Sequence, residues 1–524
     1  MFKHPVPGEG GYLGKMGFTY GKTGFRLING SGEAVSFPLT SFGELNVSQL
    51  APTAQGEFAY GLNDNIFEEV RFVGGGAAAT DGVLVVSSSA SPDSWAQVQL
   101  RRGTRYKAGM GILFRGTALF TTGTAGNTQL IGLGNLESGY FFGYQNEEFG
   151  IFHEATSKKE VRALTVTTGA GTGNVTVTLD GQAVVIPVVG GSDTSQTAYQ
   201  LSLGDYSGVG RGWRADALGS VVYFISARSE PLDGTYSVSG ASVVGAFSRI
   251  EAGVAPTLTF IPQASWNVDP MDGTGPSDMT LSPQLGNVYQ VGFQYLGFGN
   301  AFFGIENSAT GRVQTVHVIQ NANSRTTPVL RNPNVSGLVA SINDPAGAGV
   351  SVPVRSVSMA TFNEGIIKKL DPKFSLSLPL TVPDTNNVWR PIVALKANRV
   401  FRGQLCSGEI DLLKLMVSND AGGASPKSYR LGIFLDSTIT GDVNFQSIDA
   451  LRSIVSYTTL NAATQTMSPN TTPIFSVTCG GGNTVQSNLD ELDFVFGAGR
   501  VVVLAVNSDD AIDASFSINW YEQQ

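Results

Sequence analysis

The stretch QLIGLGNLESGYFFGYQNEEFGIF, residues 129–152, decides the fold class. Its apolar residues come in short runs, Gln129-Leu130-Ile131-Gly132-Leu133, then Tyr140-Phe141-Phe142-Gly143-Tyr144, then Phe149-Gly150-Ile151-Phe152. Each run is too brief for a helix, rich in residues that suit a pleated surface, and closed by Gly, Asn, Ser or Glu. Three antiparallel strands joined by tight turns are expected.

Working outward, the same style extends in both directions. Upstream stand Glu69-Val70-Arg71-Phe72-Val73, Val83-Leu84-Val85-Val86, Leu119-Phe120, and Trp95-Ala96-Gln97-Val98-Gln99-Leu100, in which Ala96, Val98 and Leu100 share one face. Downstream, after Pro256, stand Leu258-Thr259-Phe260, Trp266, Val288-Tyr289-Gln290-Val291, Phe302-Phe303 and Val316-His317-Val318-Ile319. Residues 65–157 and 257–370 are therefore expected to build one discontinuous sandwich. Between them, residues 158–256 are poorer in aromatics. Val175-Thr176-Val177-Thr178-Leu179-Asp180-Gly181-Gln182-Ala183-Val184-Val185-Ile186 predicts an Asp-Gly hairpin pairing Leu179 with Gln182, Val177 with Val184 and Val175 with Ile186. A helix over Thr194–Leu201 follows, capped by Ser192 or Asp193 and ended by Gly204, and then strands near 220–225 and 234–238. The expectation is an inserted α/β module of ββαββ type, tolerated because the ends of a loop lie close together. From 371 to 524 a further sandwich is expected, opening with Phe374, Leu376, Leu378 and Leu380 on one face and closing with Val501–Val506 and the alternating Phe516, Ile518 and Trp520. Residues 1–64 carry glycines at 8, 10, 11, 14, 17 and 21 and little periodic apolar surface, so an extended N-terminal arm is expected, docked on a neighbouring subunit or wrapped on its own chain.

Composition narrows the function. The chain has 524 residues, of which 14% are charged and 65 are glycine, and its 33 bases against 42 acids leave a net charge of −9. Scattered cations in an acidic chain argue against a nucleic-acid partner. The opening MFKHPVPGEGGYLGKMGF holds no apolar stretch of signal-peptide length, and nowhere do 18 uncharged apolar residues run together, so a soluble chain without conventional secretion or a membrane partner is expected. The sequon Asn46-Val47-Ser48 is accordingly taken as chance.

Catalytic chemistry is thin. Three histidines, His4, His153 and His317, lie on distant segments, which starves any triad or histidine metal site. His153 and His317 are expected to be packing or surface residues. Two cysteines, Cys406 and Cys479, make neither a disulfide framework nor a CxxC site and are expected to be buried thiols. The glycines of GEGGYLGKM lack the Ser or Thr that a phosphate loop places after its lysine, and Gly297, Gly299 and Gly304 miss the dinucleotide spacing. Asp269, Asp272 and Asp278 crowd one loop with two prolines and two glycines. Calcium binding or a glycosidase pair is conceivable there, and turn chemistry explains the segment better. No catalytic, cofactor or metal residue is assigned, and no enzyme activity is expected.

Two segments, 113–155 and 266–334, carry a resemblance. With DGTGPS (272–277), GNVYQVGFQYLGFG (286–299) and VHVIQNAN (316–323), the chain resembles a recurrent virion structural protein of tailed phages and large DNA viruses, over about residues 65–370. The resemblance implies jelly-roll or lectin-like β-sandwiches split by a small inserted module, location in the virion, and a role as fibre, spike or capsid/tail accessory component. It implies partners among other virion proteins and further copies of the chain, a trimer by analogy with other appendages. A host-glycan-binding adhesion module of the particle is the alternative function, and a polysaccharide-degrading virion enzyme a third.

Overall fold

The computed structural model describes residues 17–21, 24–28, 34–35 and 49–523, apart from 108, 136–137, 156, 191–192, 210–211, 366–370, 420–426 and 493. It divides into two compact units, residues 1–51 with 364–366, and residues 52–363 with 367–524. In the small unit, Gly17–Gly21, Gly24–Ile28 and Ala34–Val35 form a three-stranded antiparallel sheet, with Gly17 opposite Ile28 and Leu27 opposite Val35. Strand pairing thus occurs inside the stretch expected to be an extended arm, because β-ladders there satisfy the backbone without the apolar periodicity that was sought. The strand Leu50–Glu57, which enters the large unit at Pro52, likewise pairs with Ser358–Glu364.

Nearly everything described is β, and one α-helix occurs among the described residues. Two large sheets pack face to face. The nine-stranded sheet runs Arg312–Ile319, Ala301–Asn307, Asn287–Phe293, Ile112–Phe120, Pro353–Ser356, Val83–Ser87, Gly76–Thr80, with Ser358–Glu364 also beside Ile112–Phe120. The eight-stranded sheet runs Thr257–Pro262, Glu148–Ala155, Ser138–Gln145, Asn127–Asn135, Asn334–Asn343, Trp95–Leu100, Phe67–Phe72, with Thr104–Arg105 also beside Asn334–Asn343. The inward faces meet in one aromatic core. Phe142 lies 5.0 Å from Tyr289 and 5.3 Å from Phe303 between ring centroids, and Phe120 stands edge-on to Phe149 at 5.4 Å. Fully burying a side chain such as Phe stabilises the fold by about 1.5–3 kcal/mol, so this cluster dominates the energetics of the sandwich. Glycine inside the eight-stranded sheet has a steric cause: a Cβ on Gly143 would sit 1.7 Å from the Gln129 carbonyl oxygen.

Residues 161–251 form two smaller sheets around helix α1 (Thr194–Ser202). The Asp-Gly hairpin has the expected register, Val175 opposite Ile186 through Leu179 opposite Gln182. Asp180 and Gly181 both take positive φ, 51° and 83°, as a two-residue turn of this kind requires. Asp193 caps the helix, its Oδ1 accepting from the Ser195 and Gln196 amides at 2.6 and 3.1 Å. The ββαββ core is supplemented by Val161–Thr168, Trp213–Leu218 and Val244–Glu251, which with Val221–Ser226 make a four-stranded sheet.

Residues 373–523 make a second sandwich. Lys373–Val382, Ile512–Gln523, Glu409–Asn419 and Thr484–Asn488 form one sheet, with Val495–Gly497 at its side, and a six-stranded sheet centred on Arg390–Ala397 and Val501–Ser508 forms the other. Phe516, Ile518 and Trp520 point into the core, where Phe374, Leu376 and Leu378 pack against them.

Buried polar contacts join the layers of the large unit. Lys396 Nζ meets Asp216 Oδ1 at 2.6 Å, the Gly103 amide donates to Glu409 Oε1 at 2.6 Å, and the Ile439 amide donates to the hydroxyl of Tyr199 on α1 at 3.2 Å. No helix among the described residues is long and apolar enough to cross a membrane.

Candidate functional site

The histidines do not converge. His153 is buried against Tyr140, stacked at 4.6 Å, with Nε2 3.1 Å from the Val329 carbonyl and Nδ1 3.0 Å from Arg325 Nη2. Burial holds its proton affinity down, to about 4. His317 Nδ1 accepts from the Asn267 amide at 3.1 Å. His4, the GEGGYLGKM glycines and Asn46-Val47-Ser48 lie outside the described residues. The acidic loop is held by its own backbone: buried Asp269 accepts from the Met271 and Ser277 amides, each at 2.9 Å, and Asp272 accepts from the Thr274 amide at 2.9 Å and hydroxyl at 2.6 Å. Among the described residues no group of three His, Cys, Asp or Glu is placed to hold a metal ion. Gly299 serves a turn, since a Cβ there would lie 1.5 Å from the Gln294 carbonyl oxygen. Both cysteines are free thiols. Cys479 is buried, whereas Cys406, expected to be buried, is only partly covered, because it follows the hairpin Val400–Phe401 with Gln404–Leu405 and lines a half-open pocket.

A groove of about 780 Å³ runs along the outer face of the nine-stranded sheet, between the turn following Leu50–Glu57 and the central strands. Alternation builds its floor. Phe114 and Ala118 of Ile112–Phe120 point into the core, so Arg115 and Thr117 point out. Arg115 Nε donates to Gln290 Oε1 on the adjacent strand at 2.8 Å, and its two Nη groups carry no hydrogen bond to the described residues. Thr117 Oγ1 accepts from the Val357 and Ser358 amides at 2.9 and 3.1 Å, which fastens the neighbouring strand. Phe302, 49% exposed, stands on the same outward face opposite Gly292.

The wall is equally specified. Phe58 is buried and stacked on Phe67 at 4.7 Å, and the chain then turns, the Gly61 amide donating to the Phe58 carbonyl at 3.1 Å with Gly61 at φ 94°. Between these anchors Tyr60 is wholly exposed beside Gln55, Glu57 and Asn63. The described lining combines an aromatic ring, amides, the hydroxyls of Thr117 and Ser358, one guanidinium and one carboxylate, Glu57. Such a surface can stack on an apolar ring face and offer donors and acceptors in plane with it. Sequence reasoning assigned neither Tyr60 nor Arg115. The available signal was a lone cation inside an apolar run, Leu113-Phe114-Arg115-Gly116.

No family model matches the chain, and no curated protein matches it. Among solved structures, several show a distant likeness to the chain. They include the metal-free carbohydrate recognition domain of Emp46p (9% identity, TM-score 0.22, 59% of this chain and 98% of that one). A Lotus tetragonolobus seed lectin isoform (10%, 0.21, 60% and 100%) and a Bacteroides ovatus mixed-linkage glucan GH16 protein in complex with its product (10%, 0.23, 59% and 98%) are also similar. At such identities and TM-scores the likeness carries nothing about binding or activity.

Proposed function

We propose that this chain is a non-catalytic adhesion protein that binds a glycan in the groove of its nine-stranded sheet. The observation that carries the reading is Tyr60, held wholly exposed by a turn anchored on buried Phe58, facing a groove that also holds Arg115, whose two Nη groups make no hydrogen bond to the described residues. A sugar presents an apolar ring face and a fringe of hydroxyls, and an aromatic with planar donors and acceptors complements both. Glycoside hydrolysis works with two carboxylates flanking one bond, and Glu57 alone among the described lining residues is acidic, which favours binding over cleavage. A glycan array tests this. Binding of a defined glycan that Tyr60→Ala and Arg115→Ala each weaken at least tenfold supports it; no bound glycan, or binding indifferent to both changes, refutes it.

The resemblance of residues 113–155 and 266–334 supports placing this module on a virus particle, as a self-associating fibre, spike or capsid/tail accessory component. Sparse charge and serial sandwiches suit a chain whose edges are covered by symmetric neighbours. Mass spectrometry of purified particles and light scattering of the isolated chain test it: absence from intact particles, or a stable monomer in both settings, removes the reading.

A further inference from the structure

Where the first sandwich, the inserted layers and the C-terminal sandwich meet, the large unit holds a half-open cavity of about 170 Å³. Each part contributes charge to its lining: Glu68 and Arg101, then Lys159 and Arg214, then Arg399 and Glu409. Four cations thus face two carboxylates. Glu68 is already engaged, its Oε1 2.9 Å from Arg214 and 3.8 Å from Arg101 and its Oε2 accepting from Gln99 at 2.8 Å. Glu409 accepts from the Gly103 amide at 2.6 Å. Lys159, only 5% exposed, donates to the Ser226 and Ala227 carbonyls at 3.0 and 2.6 Å.

Arg399 has a different position. Its backbone amide donates to Asp216 Oδ2 at 2.9 Å, while its guanidinium makes no hydrogen bond to the described residues. The guanidinium lies against Gly499, where φ is 86° and a Cβ would come within 2.2 Å of Nε, so the slot that admits it exists because residue 499 is glycine. Burial, and next the Arg214 charge, lower the proton affinity of this guanidinium, and the nearby Glu68 and Asp216 carboxylates, both already engaged by other cations, offset this only in part. Asn334, also in the lining, has a buried Oδ1 without a hydrogen-bond partner among the described residues, an acceptor that an oxyanion bearing a proton can satisfy.

We propose that this junction cavity binds a small inorganic oxyanion of the phosphate class, with Arg399 as the principal ligand and Arg101, Arg214 and Lys159 supplying the surrounding field. Planar guanidinium forks match such oxyanions in pairs of hydrogen bonds. The ligand closes the charge imbalance at the seam and ties three parts of the chain together, so its binding is read as resistance to unfolding. This site is independent of the glycan groove.

The test uses the full chain and inorganic phosphate, titrated at constant ionic strength against chloride, with thermal unfolding and isothermal titration calorimetry as readouts. The expected result is a saturable rise in Tm and a single-site isotherm, retained in the groove variant Arg115→Ala and weakened at least tenfold in Arg399→Gln. Arg399→Lys keeps the charge without the fork and is expected to bind with intermediate affinity, which keeps the question open to measurement if the glutamine variant folds poorly. No saturable response in the wild-type chain, or equal affinities in the wild-type and Arg399 variants, overturns the proposal.

Discussion

Removing one partner of the Lys396–Asp216 pair is expected to unfasten the inserted layers from the C-terminal sandwich. The two groups are 5% and 6% exposed and 2.6 Å apart; Asp216 also accepts from the Arg399 amide at 2.9 Å, and Lys396 also donates to the Ala217 carbonyl and lies 4.6 Å from the Phe445 ring centroid. At an effective dielectric of about 20, unit charges this close attract by about 6 kcal/mol, and desolvation of about several kcal/mol per ion offsets most of that. The intact pair is therefore nearly neutral, while a widowed charge is costly. Asp216→Ala should destabilise the chain by about 3–5 kcal/mol. Lys396→Met should cost less, because Asp216 keeps the Arg399 amide. Asp216→Leu with Lys396→Met should recover at least half of the Asp216→Ala loss. Differential scanning calorimetry reads the effect as an early transition split from the main one, and amide exchange localises it to Trp213–Leu218. A single substitution costing under about 1 kcal/mol, or singles that add without coupling to give the double, would refute the reasoning.

Burial pushes the Glu409 carboxyl up to about 7, so the folded chain binds this proton more tightly than the unfolded one. Its stabilising contribution is complete below the ordinary value near 4.5 and is lost as pH rises through 7; Glu409→Gln should therefore gain up to about 3 kcal/mol at pH 8 and almost nothing at pH 4, as read by urea unfolding at the two pH values. Gly143→Ala should cost at least about 1–3 kcal/mol, since its Cβ would press on the Gln129 carbonyl, whereas Gly208→Ala, with open space around it, should change Tm by less than a degree or two. Asp193→Ala should cost about 1 kcal/mol through the lost helix cap, with faster amide exchange at Ser195 and Gln196.

What could be read from the chain alone follows from where the deciding interactions lie. The hairpin 175–186 and the strand Trp95–Leu100 were legible because local alternation and turn chemistry suffice for them. Trp213–Leu218 was not: Arg214 and Asp216 break its apolar pattern, and they are satisfied by Glu68 and Lys396, remote in sequence. Val161–Thr168 was obscured by two register irregularities against Val244–Glu251. The groove was hidden for the same reason, since Tyr60 fell in a stretch without apolar period and comes to line one groove with Arg115 only after the sheet has assembled. Buried charge at the seam leaves no local trace at all.

The order of strands in the first sandwich also determines when it can exist. Ile112–Phe120 is flanked by Asn287–Phe293 on one side and Ser358–Glu364 on the other, so its two neighbours leave the ribosome about 180 and about 250 residues later, roughly 9–50 s at ~5–20 residues per second. Until Asn287–Phe293 emerges, a nascent strand bearing Ile112, Phe114 and Ala118 has both hydrogen-bonding edges open, and one edge stays open until Ser358–Glu364 follows. Closure of this sheet is then late and long-range. The period of greatest hazard for this molecule, from mispairing with another nascent copy, lies before its synthesis is finished, and slowing initiation rather than strengthening the finished core is the way to raise its yield.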